Sequence, residues 1–212
     1  MKEELQNLRE NYTQGNLNEQ EVAPNPLDQF KTWFNQYKEA EPKDANAVVL
    51  ATADAKGVVS SRVLLLKGVD KGGFEFYTNY NSHKGEQLAQ NPQASLTFYW
   101  PELERQVRVE GAVEKMTDEE SDAYFQSRPY ASKIGAWTSP QSEEINSRAE
   151  LEQREKQFKD KYPTEVPKPP HWGGYRLTPL KVEFWQGRPS RLHDRVLYQK
   201  KGEQWITTRL AP

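Results

Sequence analysis

The residues from Trp185 to Arg195 read Trp-Gln-Gly-Arg-Pro-Ser-Arg-Leu-His-Asp-Arg, placing three arginines, a histidine and a tryptophan around a Gly and a Pro. Arg191, His193 and Arg195 alternate, so an extended chain points them to one face. Three charged or protonatable groups on one face repel unless something anionic sits among them. Trp185 supplies a plane that stacks on a ring or covers its edge. The plain alternative is a basic surface hairpin, and of all the stretches in the chain this one says most about chemistry.

Three other clusters point the same way. In Arg62-Val63-Leu64-Leu65-Leu66-Lys67 two cations flank an apolar strand. A cation desolvated beside such a run costs several kcal/mol without an anionic partner, unless both sit at strand ends in water. In Tyr77-Thr78-Asn79-Tyr80-Asn81-Ser82-His83-Lys84 a strand ends in hydroxyls and amides and a helix begins. The free N–H groups of a helix start suit an anion. Lys84 in the first turn opposes the helix dipole unless an anion lies between, although an ordinary capped helix reads the same. Tyr124, Arg128 and Ser132 are spaced by four and would share a helical face, but Pro129 interrupts that helix. An arginine with a hydroxyl suits a phosphate, whose oxygens a guanidinium binds in pairs. Gln106 and Gln141-Ser142 are weaker signals: amides read heteroaromatic edges but are usually plain surface.

No Ser-His-Asp order, paired carboxylates or metal-ligand spacing stands out, and neither phosphate-binding glycine motif is present. With no cysteine there is no thiol nucleophile, disulfide or iron–sulfur ligation, and three histidines make a metal site an unfavoured expectation. The chemistry is anion and ring binding without an evident protein nucleophile, so a cofactor is expected to do the reaction. A net charge of −2 on 212 residues gives no basic footprint for nucleic acid. No stretch reaches the ~20 apolar residues of a membrane span. The lack of cysteine and of an apolar leader fits a cytoplasmic protein.

The elements that must position these residues are mostly strands. Residues 1–22 are rich in Asn, Gln and Glu and lack periodicity, which reads as a mobile arm, with one domain over 23–212. A helix follows Pro26, and its stripe Phe30, Trp33, Phe34 and Tyr37 reads as core. Strands are expected over 47–53, 58–68, 73–78, 94–100, 105–115, 174–178, 181–186, 195–199 and 204–208. Their hairpin-like succession favours an antiparallel barrel or sandwich. Helices are expected over 82–90, over 117–127 with a Thr117–Glu120 capping box, and over 142–162. Residues 163–170 form a proline-rich connector.

Taken in order, the segments resemble the pyridoxine/pyridoxamine 5'-phosphate oxidase family from about Leu8 to Pro212. The matching stretches include Leu8-Arg-Glu-Asn-Tyr12, Ser61-Arg-Val-Leu-Leu-Leu-Lys67, Ser82-His-Lys84 and Gln106-Val-Arg-Val-Glu-Gly111. Ser127-Arg-Pro129, Ser139-Pro-Gln-Ser142, His171-Trp-Gly-Gly-Tyr175 and Arg191-Leu-His-Asp-Arg195 continue the series to the terminal Arg209-Leu-Ala-Pro212. The resemblance implies a mainly β split barrel with helices, a homodimer with FMN at the subunit interface. It also implies oxidation of pyridoxine or pyridoxamine 5'-phosphate to pyridoxal 5'-phosphate, with O2 reduced to H2O2. By position, FMN would meet Arg62, Val63, Leu64, Leu65, Leu66, Lys67, Tyr77, Thr78, His83, Lys84, Gln106, Gln141, Ser142, Trp185 and Arg195. The substrate phosphate would meet Lys67, Tyr124, Arg128 and Ser132. Arg191 and His193, the catalytic pair, would lie with Leu192 at the pyridine ring, and Arg9, Glu10, Asn11 and Tyr12 would fold over the substrate.

This chain departs from the family pattern at His83 and Glu10, where many members carry arginine. Two rival expectations remain: a flavoenzyme acting on another substrate, and a pyridoxal phosphate carrier without flavin.

Overall fold

The structure is a computed structural model that describes residues 1–212 except Arg9, Glu10 and Pro42, and except the side chain of Glu3. Six helices are described: α1 Lys2–Asn7, α2 Pro26–Ala40, α3 His83–Gln90, α4 Asp118–Ser127, α5 Tyr130–Thr138 and α6 Arg148–Lys161. The strands are β1 Ala47–Ala53, β2 Val59–Leu65, β3 Gly68–Asp70, β4 Gly73–Asn79, β5 Gln93–Trp100, β6 Arg105–Lys115, β7 Trp172–Gln186, β8 Asp194–Lys201 and β9 Gln204–Leu210. The fold is therefore mainly β with helices, as expected. Hydrogen bonding orders the strands β2-β1-β5-β6-β7-β4-β3, and β8 pairs both β7 and β9.

The chain divides into two compact units. One comprises Met1–Leu50, Ser95–Gly111 and Pro179–Pro212; the other comprises Ala51–Ala94 and Ala112–Thr178. In the first, Asn25 caps α2 by accepting the Leu27 N–H at 2.9 Å, with Pro26 at the first helical position. The buried face of α2 carries Phe30, Trp33 and Tyr37. Phe30 lies 4.8 Å from the Phe98 ring, Trp33 meets Phe184 edge-on at 5.2 Å, and Tyr37 stacks on Trp100 at 5.4 Å. Three of the four stripe residues are core, as read; Phe34 is only half-buried, resting against Phe30 and Trp100. Each such burial contributes about 1.5–3 kcal/mol. In the β7–β8–β9 meander, Gln186 pairs with Asp194 and Trp185 with Arg195. The segment before α2 is tied to this meander at Leu17, which is buried and donates its N–H to Asp194 Oδ2 at 3.1 Å.

In the second unit β4 pairs antiparallel with β3 and with the first half of β7. The capping box of α4 forms as expected: Thr117 Oγ1 accepts the Glu120 N–H at 3.2 Å and Glu120 returns the bond at 3.1 Å. Phe125, Ile134, Val166 and Trp172 form a buried cluster under α4 and α5. Arg176 joins Glu75 at 2.7 Å and Glu120 at 3.1 Å, which sets β7 against β4 and α4.

Four local expectations are corrected. The strand expected over 58–68 ends at Leu65 and resumes as β3, because Leu66 turns inward and the Lys67 N–H bonds to the Glu75 carbonyl. The helix expected from 142 begins at Arg148, where Ser147 accepts the Glu150 N–H as its cap; Ser142 has φ 76° and cannot be helical. The two strands expected around Pro179 are one strand, β7. Pro179 falls between the stretch paired with β4 and the stretch paired with β8, where its missing N–H costs little. Finally, α5 was not expected: Pro129 ends one helix and directly precedes the next, with Arg128 extended between them at φ −75°, ψ 151°.

Gly85 shows how closely α3 approaches the loop before it, since a methyl there would meet the Tyr80 carbonyl oxygen at 2.0 Å. Gly85→Ala is expected to cost about 1–3 kcal/mol or more by overpacking, against about 1 kcal/mol for removing the α4 cap in Thr117→Ala. Denaturant unfolding of both variants checks this; a Gly85→Ala midpoint equal to that of the parent would contradict the close approach.

Candidate functional site

The second unit holds two cavities that share Tyr77, Thr78 and Gln141. The larger, about 560 Å³, is walled by aromatics: Tyr77 stacks on Tyr124 at 4.0 Å and on Trp172 at 5.6 Å. The Gly173–Gly174 pair in β7 permits this, because a Cβ at Gly174 would meet Met116 and Tyr77 at 2.5 and 2.8 Å. Arg128, at the C-cap of α4, lays its guanidinium 4.6 Å from the centre of the Trp172 ring. One of its terminal nitrogens is buried without a hydrogen-bond partner. Lys67 and Ser132 complete a set of donors, and no lining residue is a carboxylate. Burial, reinforced by Glu75, pushes the Tyr77 hydroxyl up to about 12, so it stays protonated. Burial likewise lowers Arg128. A guanidinium stripped of water with an unused N–H is a receptor for an anion.

The smaller cavity, about 370 Å³, lies at the start of α3 and is lined by Arg62, Val63, Leu64, His83, Lys84 and Ser142 with the shared residues. Lys84 is buried, and its ammonium donates to Thr78 Oγ1, Ser82 Oγ and Gln141 Oε1 at 3.0, 3.1 and 3.0 Å. All three partners are neutral. Burial, and then Arg62, lowers Lys84 from 10.5 to about 8. Arg62 is oriented by Thr52 Oγ1 at 2.7 Å and Ser60 Oγ at 2.5 Å, both of which donate in turn to Gln87 Oε1. Clustered cationic donors with neutral partners at a helix start suit a phosphate monoester.

The first unit holds a separate cavity of about 570 Å³, lined by Asn11, Tyr12, Trp185, Arg188, Arg191 and His193 together with Leu8 and Ser190. His193 packs 4.6 Å from Trp185 and 5.7 Å from Tyr12, while Tyr12 meets Trp185 edge-on at 5.8 Å. Burial, and then Arg191, pushes His193 below its ordinary value.

The structure thus gathers most of the expected site residues into three groups. Lys67, Tyr124, Arg128 and Ser132 line the first cavity although no continuous helix joins them. Arg62, His83, Lys84 and Ser142 line the second, and Tyr12, Trp185, Arg191 and His193 the third. The extended face expected for Arg191, His193 and Arg195 does not form. Ser190 and Arg191 have φ 58° and 62° in a 3-10 turn, and Arg195 turns to Glu183 at 2.8 Å. Leu66 points into the core, Leu192 is exposed, and Gln106 is half-buried on β6 and lines none of these cavities. Arg9 and Glu10 lie outside the described residues. Sequence reasoning gave no role to Trp172 or Arg188; the Gly-Gly pair after Trp172 was the available signal for close aromatic packing. Among the described residues no His, Asp or Glu cluster could hold a metal, and no helix is long and apolar enough to cross a membrane.

Comparison with known proteins agrees with the geometry. The family described as "Pyridoxamine 5'-phosphate oxidase" matches residues 35–162, and the "Pyridoxine 5'-phosphate oxidase C-terminal dimerisation region" matches 172–212. The pyridoxine/pyridoxamine 5'-phosphate oxidase of Paraburkholderia phymatum is 59% identical, covering 98% of this chain and 99% of its own. That of Gloeothece citriformis is 56% identical over the full length of both. Among solved structures, PhzG from Burkholderia lata 383, in complex with tetrahydrophenazine-1-carboxylic acid, superposes with a TM-score of 0.87 at 31% identity, covering 92% of this chain and 96% of its own. An FMN-binding protein related to pyridoxamine 5'-phosphate oxidase from Nostoc punctiforme shares the fold, with a TM-score of 0.70 at 20% identity over 90% of this chain and all of its own.

Lys84 gives a signed test. Its folded-state value of about 8 lies below the ordinary 10.5. The stability it contributes is therefore fully present above the unfolded value and is lost as pH falls towards 8. Without anions, the melting temperature is expected to carry a component that rises between pH 8 and 10.5. Added inorganic phosphate, which favours the charged lysine, should raise the melting temperature most below pH 8. Lys84→Met is expected to remove both effects; thermal melts across pH with and without phosphate that match the parent's would show that Lys84 holds no anion.

Proposed function

Since the chain belongs to the pyridoxamine 5'-phosphate oxidase family, whose members here are oxidoreductases of vitamin B6 metabolism, we propose that it is the split-barrel, homodimeric enzyme that oxidises pyridoxine or pyridoxamine 5'-phosphate to pyridoxal 5'-phosphate with FMN. The observation that carries this reading is the carboxylate-free, aromatic-walled cavity around Arg128, whose buried guanidinium nitrogen has no partner.

Arg62, His83, Lys84 and Ser142 would hold the FMN phosphate, with the buried Lys84 and half-buried Arg62 supplying the charge and the exposed His83 and Ser142 further polar contacts. When bound, FMN supplies the two-electron oxidation, with O2 as final acceptor and H2O2 as product. The alcohol substrate loses two hydrogens to become the aldehyde. The amine substrate consumes one water and releases ammonia.

The chain's own residues bind and orient. Arg128, Lys67, Ser132 and Tyr124 would take the substrate phosphate, with Arg128 pinned against Trp172 so that little side-chain freedom is lost on binding. Arg191 and His193 would bear on the pyridine ring. Tyr12, packed on His193 and Trp185, would shield it from water. Alignment and charge placement would be the protein's contribution, with no general base assigned.

The test is anaerobic addition of pyridoxine 5'-phosphate to the FMN-loaded protein. Bleaching of the flavin absorbance, restored by air with aldehyde formed, supports the reading; a flavin that stays oxidised with both phosphorylated substrates sinks it. Within that assay Arg128→Ala is expected to raise KM by about 10- to 100-fold, as loss of a charge-assisted contact of 1.5–3 kcal/mol requires. Arg191→Ala should instead lower kcat while flavin content is retained, and an equal loss of both would remove Arg191 from the ring.

A further inference from the structure

His193 sits at the end of a short chain of hydrogen bonds that the proposed reaction does not use. Its Nδ1 accepts the backbone N–H of Arg188 at 3.1 Å. A ring nitrogen that accepts from an amide carries no proton, so the neutral ring holds its proton on Nε2 and presents a donor. Protonating Nδ1 would set two donors against each other.

The Arg188 amide is in turn held by its own side chain. Arg188 Nη1 donates to the Gly15 carbonyl at 2.9 Å, and its Nε lies 3.6 Å from Asp194 Oδ2. The same Asp194 oxygen accepts the Leu17 N–H at 3.1 Å, and its other oxygen accepts Arg209 Nη1 at 2.7 Å. Arg209 closes the ring of contacts on the Leu17 carbonyl at 2.9 Å and on Glu19. One half-buried carboxylate therefore ties three things together: the segment 15–19, the loop residue Arg188 and strand β9. This loop needs such a tie, because it carries two consecutive left-handed residues, Ser190 and Arg191.

We infer that Asp194 is a positioning residue: by clamping Arg188 and the 15–19 segment, it keeps the Arg188 amide on His193 Nδ1 and so fixes His193 as a neutral Nε2–H donor. A ring so fixed gives a hydrogen bond to an acceptor on the bound molecule and takes no proton from it. The ring-bound hydroxyl oxygen or the ring nitrogen of a phosphorylated pyridine is an acceptor of that class. This deepens the oxidase reading and, for its kinetic arm alone, rests on it.

The experiment is nitrogen-15 spectroscopy of the imidazoles in the FMN-loaded protein at about pH 8, above the ordinary histidine value of about 6.5. The His193 signal is identified by its disappearance in His193→Gln. The parent should show His193 as the single Nε2–H tautomer. Asp194→Ala should give a mixture of tautomers, and kcat should fall about tenfold, the scale of a modest misplacement, with KM and flavin content nearly unchanged. Asp194→Glu, which keeps a carboxylate, should recover part of both. Glu19→Ala, which loosens Arg209 without touching Asp194 or Arg188, should leave the tautomer as it is.

A parent ring protonated on Nδ1 overturns the inference outright. So does an Asp194→Ala protein that keeps the single tautomer and the parental kcat. A fall in kcat matched by lost flavin or a lowered melting temperature, with the tautomer unchanged, would reduce Asp194 to a structural tie. If the parent oxidises neither phosphorylated substrate, the oxidase reading fails and the spectra still decide the tautomer.

Discussion

A cation removed from water with only neutral partners is the constraint around which the second unit is arranged. Lys84 is buried against two hydroxyls and an amide, and Arg128 is pressed on an indole with an N–H left over. Leaving such a group unpaired costs several kcal/mol. Elsewhere the same unit answers this cost directly: Arg176 is given two carboxylates, Glu75 and Glu120. The contrast is informative because both solutions occur within one small fold. Where structure alone is needed, a carboxylate is supplied. At the cavities it is withheld, and on the proposed reading the missing counter-charge would be a phosphate's to provide.

Holding those cations in place falls to features that would be unremarkable singly. Gly85 lets α3 close on the Tyr80 carbonyl, which fixes the turn that carries Ser82, His83 and Lys84. The capping box stops α4 from fraying at its start, so that its far end delivers Tyr124 and Arg128 reproducibly. The Gly173–Gly174 pair admits the Tyr80 and Tyr77 rings against β7, and Tyr77 so placed stacks on Tyr124 and Trp172 to build the aromatic wall. Each feature is local, and none binds anything; together they determine where the donors point.

The strands, α2 and the capped helix were legible because periodicity and capping are properties of short windows. The clusters of cationic donors that line the cavities were legible because cations beside apolar runs are conspicuous. The failures were tertiary. Pro129 reads as a break in any window, yet two helices meet there, and the corner brings Tyr124, Arg128 and Ser132 to one cavity when a continuous helix was the simpler route. Pro179 reads as the end of a strand, but its position between two pairing partners was not visible without them. Trp172 is called into the site by Tyr77 and Arg128, which are far from it in sequence.

The basic stretch near the C-terminus failed in a more instructive way. Alternation argued for one face bearing Arg191, His193 and Arg195, but alternation assumes extended backbone. Two left-handed residues break it. Three arginines in eight residues then acquire three different jobs by their choice of partner. Arg195 is neutralised by Glu183 at 2.8 and 3.1 Å and serves the sheet. Arg188 is shared between Asp194 and the Gly15 carbonyl and serves the loop. Arg191, in the strained turn beside His193, lines the cavity and adds to the burial that lowers the histidine's tendency to charge. A cluster of like charges in sequence is thus resolved by carboxylates given to Arg188 and Arg195 and, among the described residues, by none given to Arg191; Arg188 and Arg191 both line the cavity, and Arg191 is the one that brings an uncompensated charge to it.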